Sequence, residues 1–213
     1  MVESNESVRR LIEEQEHVRK ILAYEIHDGV VQDLTGAIMF AESIAVDNLS
    51  PEDAKTLDDV CNLMRKSVSE LRRIMSGLHP ADLEQSGLVT AIGSFCEMSQ
   101  TRHGVEIAFQ SAVPFDRLPD DFELGVFRIA QEAVNNALKH SRAKSIRVAI
   151  TAQAHEVRIE VIDNGVGFDP KEVDPLRFGL RAIRDRAALL GGKAVIESSR
   201  NGTRVAATIP LPS

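Results

Sequence analysis

The chain has two cysteines in 213 residues, no tryptophan and a single tyrosine. Cys61 and Cys96 lie far apart, with no C-x-x-C spacing, so they supply neither a disulfide framework nor a zinc signature. That usage fits a reducing cytoplasm, the expected location. No apolar run approaches the roughly 20 residues needed to cross a bilayer. The N-terminus also lacks the short apolar core of a signal peptide. Positive charge is in deficit too, with 25 Lys and Arg against 32 Asp and Glu, for a net charge of −7. A surface of that sign argues against direct nucleic-acid binding. What remains is ordinary globular composition, 43% apolar and 27% charged, which excludes wholesale disorder and collagen-like order. The length suits one or two domains, each with its own core.

The acidity is uneven. Residues 1–79 hold nine basic and fifteen acidic side chains, so most of the net charge lies there. This part has one proline and reads as helix almost throughout, whereas strands and glycines appear from Pro80 onward. A boundary is expected near Gly77–Pro80. Apolar residues recur as Val8, Leu11, Val18, Leu22, Ile26, Val30, Leu34, Ala37, Ala41 and Ile44, one stripe on a long helix. Ser50-Pro51-Glu52-Asp53 then reads as an N-cap, a proline in the first turn and acidic residues facing the helix dipole. A second stripe follows at Leu57, Cys61, Met64, Val68, Leu71, Met75 and Leu78. Two such helices form a hairpin that buries only part of its apolar surface. Pairing two hairpins into a four-helix bundle covers the rest, and predicts a homodimer.

One segment departs from this pattern, Glu25-Ile26-His27-Asp28-Gly29-Val30-Val31-Gln32. At about 100° per residue His27 falls on the rim of the stripe, with Asp28 and Gln32 one turn apart on the wet face. Gly29 costs about 1 kcal/mol relative to alanine in a helix interior. A rim histidine beside an aspartate is ordinarily a solvated surface pair, and alone it decides nothing.

In the second half, helices are predicted over 86–102, 120–140 and 179–190. Strands are predicted over 105–110, 145–150, 157–162, 193–198 and 203–209, giving an α/β sandwich with a mixed sheet. The helix 120–140 turns Phe122, Val126, Ile129, Ala133, Ala137 and Leu138 inward, with Glu132, Asn136 and His140 on an outer face. After the strand at 157–162 comes Asp163-Asn164-Gly165-Val166-Gly167-Phe168. Its glycines allow close backbone approach to a ligand, and a buried aspartate there accepts a hydrogen bond from an amino group. Gly179-Leu180 opens a helix whose free N–H groups suit phosphate, and Gly202-Thr203 precedes the last strand. Each signal is weak singly; their order and separation are not.

Together these residues resemble the sensor histidine kinases of two-component signalling, in the NarL-type subfamily, over residues 18–210. His27-Asp28-x-x-x-Gln32 is similar to that subfamily's phosphoacceptor box, Gln131 to His140 to its N box, and Asp163-x-Gly165-x-Gly167 to its first glycine box. Gly179 to Arg186 resembles the second glycine box and the helix after it. The resemblance implies a dimeric four-helix bundle over 1–79, with 1–20 as linker or coiled-coil helix. A Bergerat-type ATP-binding α/β sandwich over 80–213 follows, an α+β fold overall.

It also implies roles. His27 receives the γ-phosphoryl group of ATP while Asp28 takes the proton of the other ring nitrogen. Asn136 ligates Mg²⁺, Glu132 orients a metal-bound water or assists transfer, and Lys139 and His140 contact the phosphates. Asp163 reads the adenine amino group, Gly165, Gly167, Gly179 and Leu180 admit the nucleotide, and Thr203 supports Asp163 or a bridging water. Gln32 holds a water in line with an aspartyl phosphate on a response regulator, expected to be of the NarL/LuxR type, giving phosphatase activity. The sequence departs from the family at Arg177, where a glycine is usual, at Ala182 and Ile183, where glycine and methionine are frequent, and at Tyr24, where a basic residue is common.

Two rival classes are a non-catalytic dimeric ATP-binding signalling module and an ATPase or anti-sigma serine kinase on the same nucleotide fold. The first has no need of a phosphoacceptor, and the second lacks the helical hairpin. His17, His79, His103 and His155 have no metal-ligand spacing and read as surface, hinge and turn residues. Residues 1–20 read as the end of a helix that continues upstream. The chain is therefore either a self-standing kinase or the cytoplasmic part of a longer protein, with a membrane association only if an upstream part supplies it. Stimulus, sensor domain, regulator identity and the cis or trans sense of transfer are not encoded legibly.

Overall fold

The structure, a computed structural model, describes residues 2–44, 49–168 and 178–212. The chain divides into two compact units, Met1–Ala81 and Asp82–Ser213.

The first unit is a helical hairpin. Its outgoing arm comprises α1 (Val2–Glu25), a π-helical segment (Ile26–Val31) and α2 (Gln32–Glu42). The return arm is α3 (Pro51–Leu78). Ser50 begins α3 as the sequence anticipates. Its backbone is extended, its Oγ accepts the Asp53 N–H at 3.1 Å, and Pro51 sits in the first turn. The α3 stripe closes on the outgoing arm, and Cys61 and Val68 on one side and Ala23 and Val31 on the other are buried. The α1–α2 stripe behaves differently. Leu11 is 67% exposed, and Val18, Leu22, Val30 and Ile44 are each about half exposed. One hairpin satisfies only part of that stripe, and a wide apolar band stays open to water.

The second unit begins with α4 (Ala81–His103), interrupted at Gly87, where φ of 78° leaves the helical region. The remaining elements are β1 (Glu106–Ala112), α5 (Asp120–Asn136), a π turn (Ala137–Ser141), β2 (Ser145–Gln153), β3 (Glu156–Asp163), α6 (Phe178–Leu189), β4 (Lys193–Ser199) and β5 (Gly202–Pro210). The sheet order is β1-β2-β3-β5-β4, with β1 parallel to β2 and every other pair antiparallel. Strict alternation sends Ile146, Val148 and Ile150, then Val157, Ile159 and Val161, then Val205, Ala207 and Ile209 to the core. Helix α5 packs against that face and against α6, and is buried on most of its circumference, including Phe122, Val126, Phe127, Ile129 and Val134. Two charges go in with it. Glu123 is fully buried, accepting Leu118 N–H at 2.9 Å and Arg117 Nε–H at 3.2 Å, so both oxygens are satisfied. Arg128 is 2% exposed and donates to Gln131 at 2.7 Å.

Among the described residues no helix is long and apolar enough to cross a membrane. Arg177, the departure in the second glycine box, lies outside the described residues.

Candidate phosphoacceptor and nucleotide sites

On the hairpin, His27, Asp28 and Gln32 stand together in water. The His27 side chain is 54% exposed and that of Asp28 67%. One oxygen, Asp28 Oδ1, meets His27 Nδ1 at 2.8 Å and accepts from Gln32 Nε2 at 3.2 Å. A carboxylate on Nδ1 selects the Nδ1–H tautomer, which leaves the lone pair on Nε2. The π segment contributes to this placement. Gln32 N–H reaches back to the His27 carbonyl, five residues earlier, and the wide turn ends where the Thr35 hydroxyl bonds the Val31 carbonyl at 2.7 Å. Such turns are uncommon and recur at functional sites. Gly29 has open space around its α-carbon, so sterics do not demand glycine there.

In the second unit the site is built where the inward rows of the sheet end. Val157, Ile159 and Val161 face the core, so the next inward position, Asp163, arrives at the edge of that core and is 5% exposed. A carboxylate so placed needs a partner. Its Oδ1 takes the Gly165 N–H at 2.8 Å, two residues ahead, which folds the chain back over it. The loop is then pinned on both sides. Asn164 Oδ1 accepts the backbone N–H of Lys144 and of Ser145 at 2.9 and 3.0 Å, and Val166 N–H bonds the Ser141 carbonyl at 2.8 Å.

The glycines here are steric requirements. A Cβ on Gly165 would overlap the Ser141 carbonyl, one on Gly167 (φ of 58°) the Ser199 carbonyl, and one on Gly202 (φ of 124°) the Asp163 carbonyl.

Across from this loop, α5 presents Glu132 and Asn136. Both are half-buried, since the first turn of α6 covers the face expected to be outward, and a Cβ on Gly179 would strike Glu132 Oε1. Asn136 Nδ2 donates to Glu132 Oε1 at 3.1 Å, which fixes the amide orientation and frees Asn136 Oδ1 for another contact. Leu180 is half-buried behind Gly179, and Lys139 and His140 lie exposed on the π turn that ends the helix. The Thr203 hydroxyl lies 2.9 Å from Ser198 Oγ, and Ser198 Oγ also accepts the Phe168 N–H at 2.9 Å. Ser198, Asn164 and Ser141 were given no role by the sequence. The one usable signal was at Ser198, a polar end to the alternating row Ala194, Ile196.

A helical hairpin carrying an exposed, carboxylate-paired histidine is thus joined in one chain to an α/β unit whose sheet ends in a glycine-rich loop, the two-part layout of a histidine-bearing module and a nucleotide-type domain. Comparison with known proteins bears on both parts. Residues 18–83 match the histidine kinase family, and residues 122–213 match the histidine kinase-, DNA gyrase B- and HSP90-like ATPases. The sequence is 31% identical over 206 residues to the signal transduction histidine-protein kinase/phosphatase DegS of Brevibacillus brevis, covering 95% of this chain and 53% of that one. It is 33% identical over 208 residues to the sensor histidine kinase MctS of Rhizobium johnstonii, covering 95% of this chain and 45% of that one. The chain thus spans about half the length of these curated relatives. In fold it is similar to the histidine kinase domain of the Erythrobacter litoralis EL346 blue-light activated histidine kinase, with a TM-score of 0.55 at 16% identity, over 85% of this chain and 94% of that one. The two matched regions, with relatives of 31% and 33% identity, place the domains of this chain among the histidine kinases.

Proposed function

We propose that the protein phosphorylates His27 from ATP and passes the group to an aspartate of a response regulator of the NarL/LuxR type. The supporting observation is the contact of Asp28 Oδ1 with His27 Nδ1, which leaves Nε2 nucleophilic and in solvent. Nε2 attacks the γ-phosphorus, the P–N bond forms, the bond to the β,γ-bridging oxygen breaks, and ADP leaves. The Nδ1 proton, acidified as the ring becomes cationic, goes to Asp28. The nucleotide is held by residues 80–213. Asp163, with Oδ1 committed to Gly165, offers its other oxygen to the adenine amino group, and Thr203 supports it. Gly165, Gly167, Gly179 and Leu180 let backbone pass close to the nucleotide, while Lys139 and His140 meet the phosphates.

The residues present suit Mg²⁺. Asn136 Oδ1, which the Glu132 hydrogen bond leaves available, and the Glu132 carboxylate are hard oxygen donors within one turn. Few protein ligands are needed, because this ion takes its other partners from phosphate and water. When bound it neutralises charge on the transferring phosphoryl group. Gln32, tethered to Asp28, orients water for hydrolysis of the regulator's aspartyl phosphate. The name of the Brevibacillus relative, kinase/phosphatase, agrees with such a second activity. The open band of Leu11, Val18, Leu22 and Val30 supports a homodimer through the hairpin, residues 1–79, and the cysteine usage supports a cytoplasmic setting.

The test is incubation with γ-labelled ATP and Mg²⁺. Wild type acquires acid-labile label and His27→Gln acquires none. Label retained by His27→Gln removes the assignment, as does an unlabelled wild type that still binds ATP, the behaviour of a non-catalytic module. For the second activity, Gln32→Ala keeps autophosphorylation and loses dephosphorylation of the regulator.

A further inference from the structure

Three adjacent strands end their core-facing rows in a polar residue at the same edge of the sheet. On β3 the row runs Val157, Ile159, Val161, Asp163; on β5 it runs Ile209, Ala207, Val205, Thr203; on β4 it runs Ala194, Ile196, Ser198. Ser198 pairs with Thr203 across the β4–β5 ladder, and Thr203 lies one residue beyond the Ile162–Arg204 pair, beside the end of β3. Asp163 and Thr203 belong to the nucleotide reading. Ser198 belongs to no motif.

We infer that Ser198 is a positioning residue of the nucleotide site, acting through Thr203 and through the backbone that follows Gly167; the inference rests on the nucleotide-binding reading above. A hydroxyl carries one proton and two lone pairs. Ser198 Oγ accepts the Phe168 N–H at 2.9 Å and shares a proton with Thr203 Oγ1 at 2.9 Å. A single oxygen therefore ties the exit of the glycine loop to β4 and holds the rotor of the Thr203 hydroxyl. The loop also leans on this point, since a Cβ on Gly167 would meet Ser198 Oγ and overlap the Ser199 carbonyl. Removing the hydroxyl leaves Phe168 N–H without its acceptor and lets Thr203 turn, while β4, an edge strand, keeps its ladder with β5.

The experiment compares wild type, Ser198→Ala, Ser198→Thr, Thr203→Val and the double variant Ser198→Ala/Thr203→Val in the full chain. The readouts are the Kd for a fluorescent ATP analogue, the ATP dependence of autophosphorylation, and thermal melting. Ser198→Ala is expected to raise both Kd and KM about tenfold, the scale of one hydrogen bond. The rate at saturating ATP stays within about twofold, the split expected when uniform binding is lost. Ser198→Thr, which keeps the hydroxyl, restores affinity. The double variant falls short of the product of the two single effects, because part of the Ser198 effect passes through Thr203. Unchanged affinity in a folded Ser198→Ala, even with a lowered melting temperature, overturns the assignment, as do independent effects in the double variant. If the wild type binds no analogue, the nucleotide reading itself has failed; if it binds and Ser198→Ala matches it, only this inference has.

Discussion

Replacing Gly165 with alanine tests whether the loop after β3 is held by close backbone contact. The φ of Gly165 lies outside the left-handed region, so alanine suffers no conformational penalty of its own. Its cost is steric. The new methyl would overlap the carbonyl oxygen of Ser141 and also approach Ser141 Cβ. That carbonyl accepts Val166 N–H, while Gly165 N–H is itself bonded to the buried Asp163 carboxylate. Backing away from Ser141 stretches both bonds. The first is worth about 1 kcal/mol and the second, to a charged acceptor, about 1.5–3 kcal/mol, so a loss of up to about 2.5–4 kcal/mol is expected. A domain with the usual 5–15 kcal/mol in hand still folds. The Asp163 carboxylate, however, loses its fixed direction, and affinity for an ATP analogue should drop more than tenfold. Thermal melting and analogue titration read the two effects separately. If Gly165→Ala melts and binds like wild type, the loop is not held as described.

Gly29→Ala makes the opposite case. With nothing near its α-carbon, alanine should stabilise the hairpin by up to about 1 kcal/mol, seen as a higher melting temperature, and a lower one contradicts the open environment. Asp28→Asn keeps the shape of the His27 contact but cannot take its proton, so autophosphorylation should slow by about 10²–10⁴-fold, the usual range for a lost general base, with ATP affinity unchanged. Burial pushes the Cys96 thiol up to about 12, so at pH 8 only about one molecule in ten thousand carries its thiolate; alkylation of Cys96 in the native protein, read by peptide mapping, should be negligible and should appear on unfolding. Burial favours the protonated form of the Glu160 carboxyl, but hydrogen bonds from Arg204 and Arg158 outweigh it and hold the group below the carboxylate value of 4.5. Its contribution is therefore present above that pH and lost as pH falls through the lowered value. Glu160→Gln should reduce the loss of melting temperature between pH 5 and 3, by no more than the roughly 1 kcal/mol of a solvent-accessible pair.

The elements of the second unit were legible because its strands alternate cleanly and its helices carry strong apolar periodicity. The α3 N-terminus was legible for a local reason, since Ser50, Pro51 and Asp53 contain the whole cap. Less legible was anything that depends on what packs over a face. Glu132 and Asn136 were expected to point outward, yet both are half-buried, because the cover is α6, over 40 residues further on. The outgoing helix likewise gave no sign of its π segment, whose residues have ordinary helical composition apart from Gly29. Buried Glu123 and Arg128 were invisible for a related reason. A charge on a helix reads as surface until the packing around it is known, and Glu123 is reached by Arg117 and Leu118 from the segment before its helix.

The glycines show where sequence and structure divide the work. Gly165, Gly167, Gly179 and Gly202 and Gly29 are one residue type in motifs of equal prominence, and the sequence does not rank them. Their surroundings do. Each of the first four would place a methyl into another segment: Ser141, Ser199, Glu132 and the Asp163 carbonyl respectively. Three of these four partners are carbonyl oxygens of the backbone, which cannot rotate away as a side chain does. This end of the sheet is thus built by main chain approaching main chain from segments that are distant in sequence. Gly29 touches nothing, so its effect is confined to the backbone of one helix, beside a histidine whose wide turn α-helical geometry alone does not favour. The two halves consequently respond differently to substitution. In the nucleotide unit a lost glycine is a collision, felt first as instability. In the hairpin it is a gain in helix propensity, and any change it causes in phosphorylation must come through the geometry of His27 and Asp28.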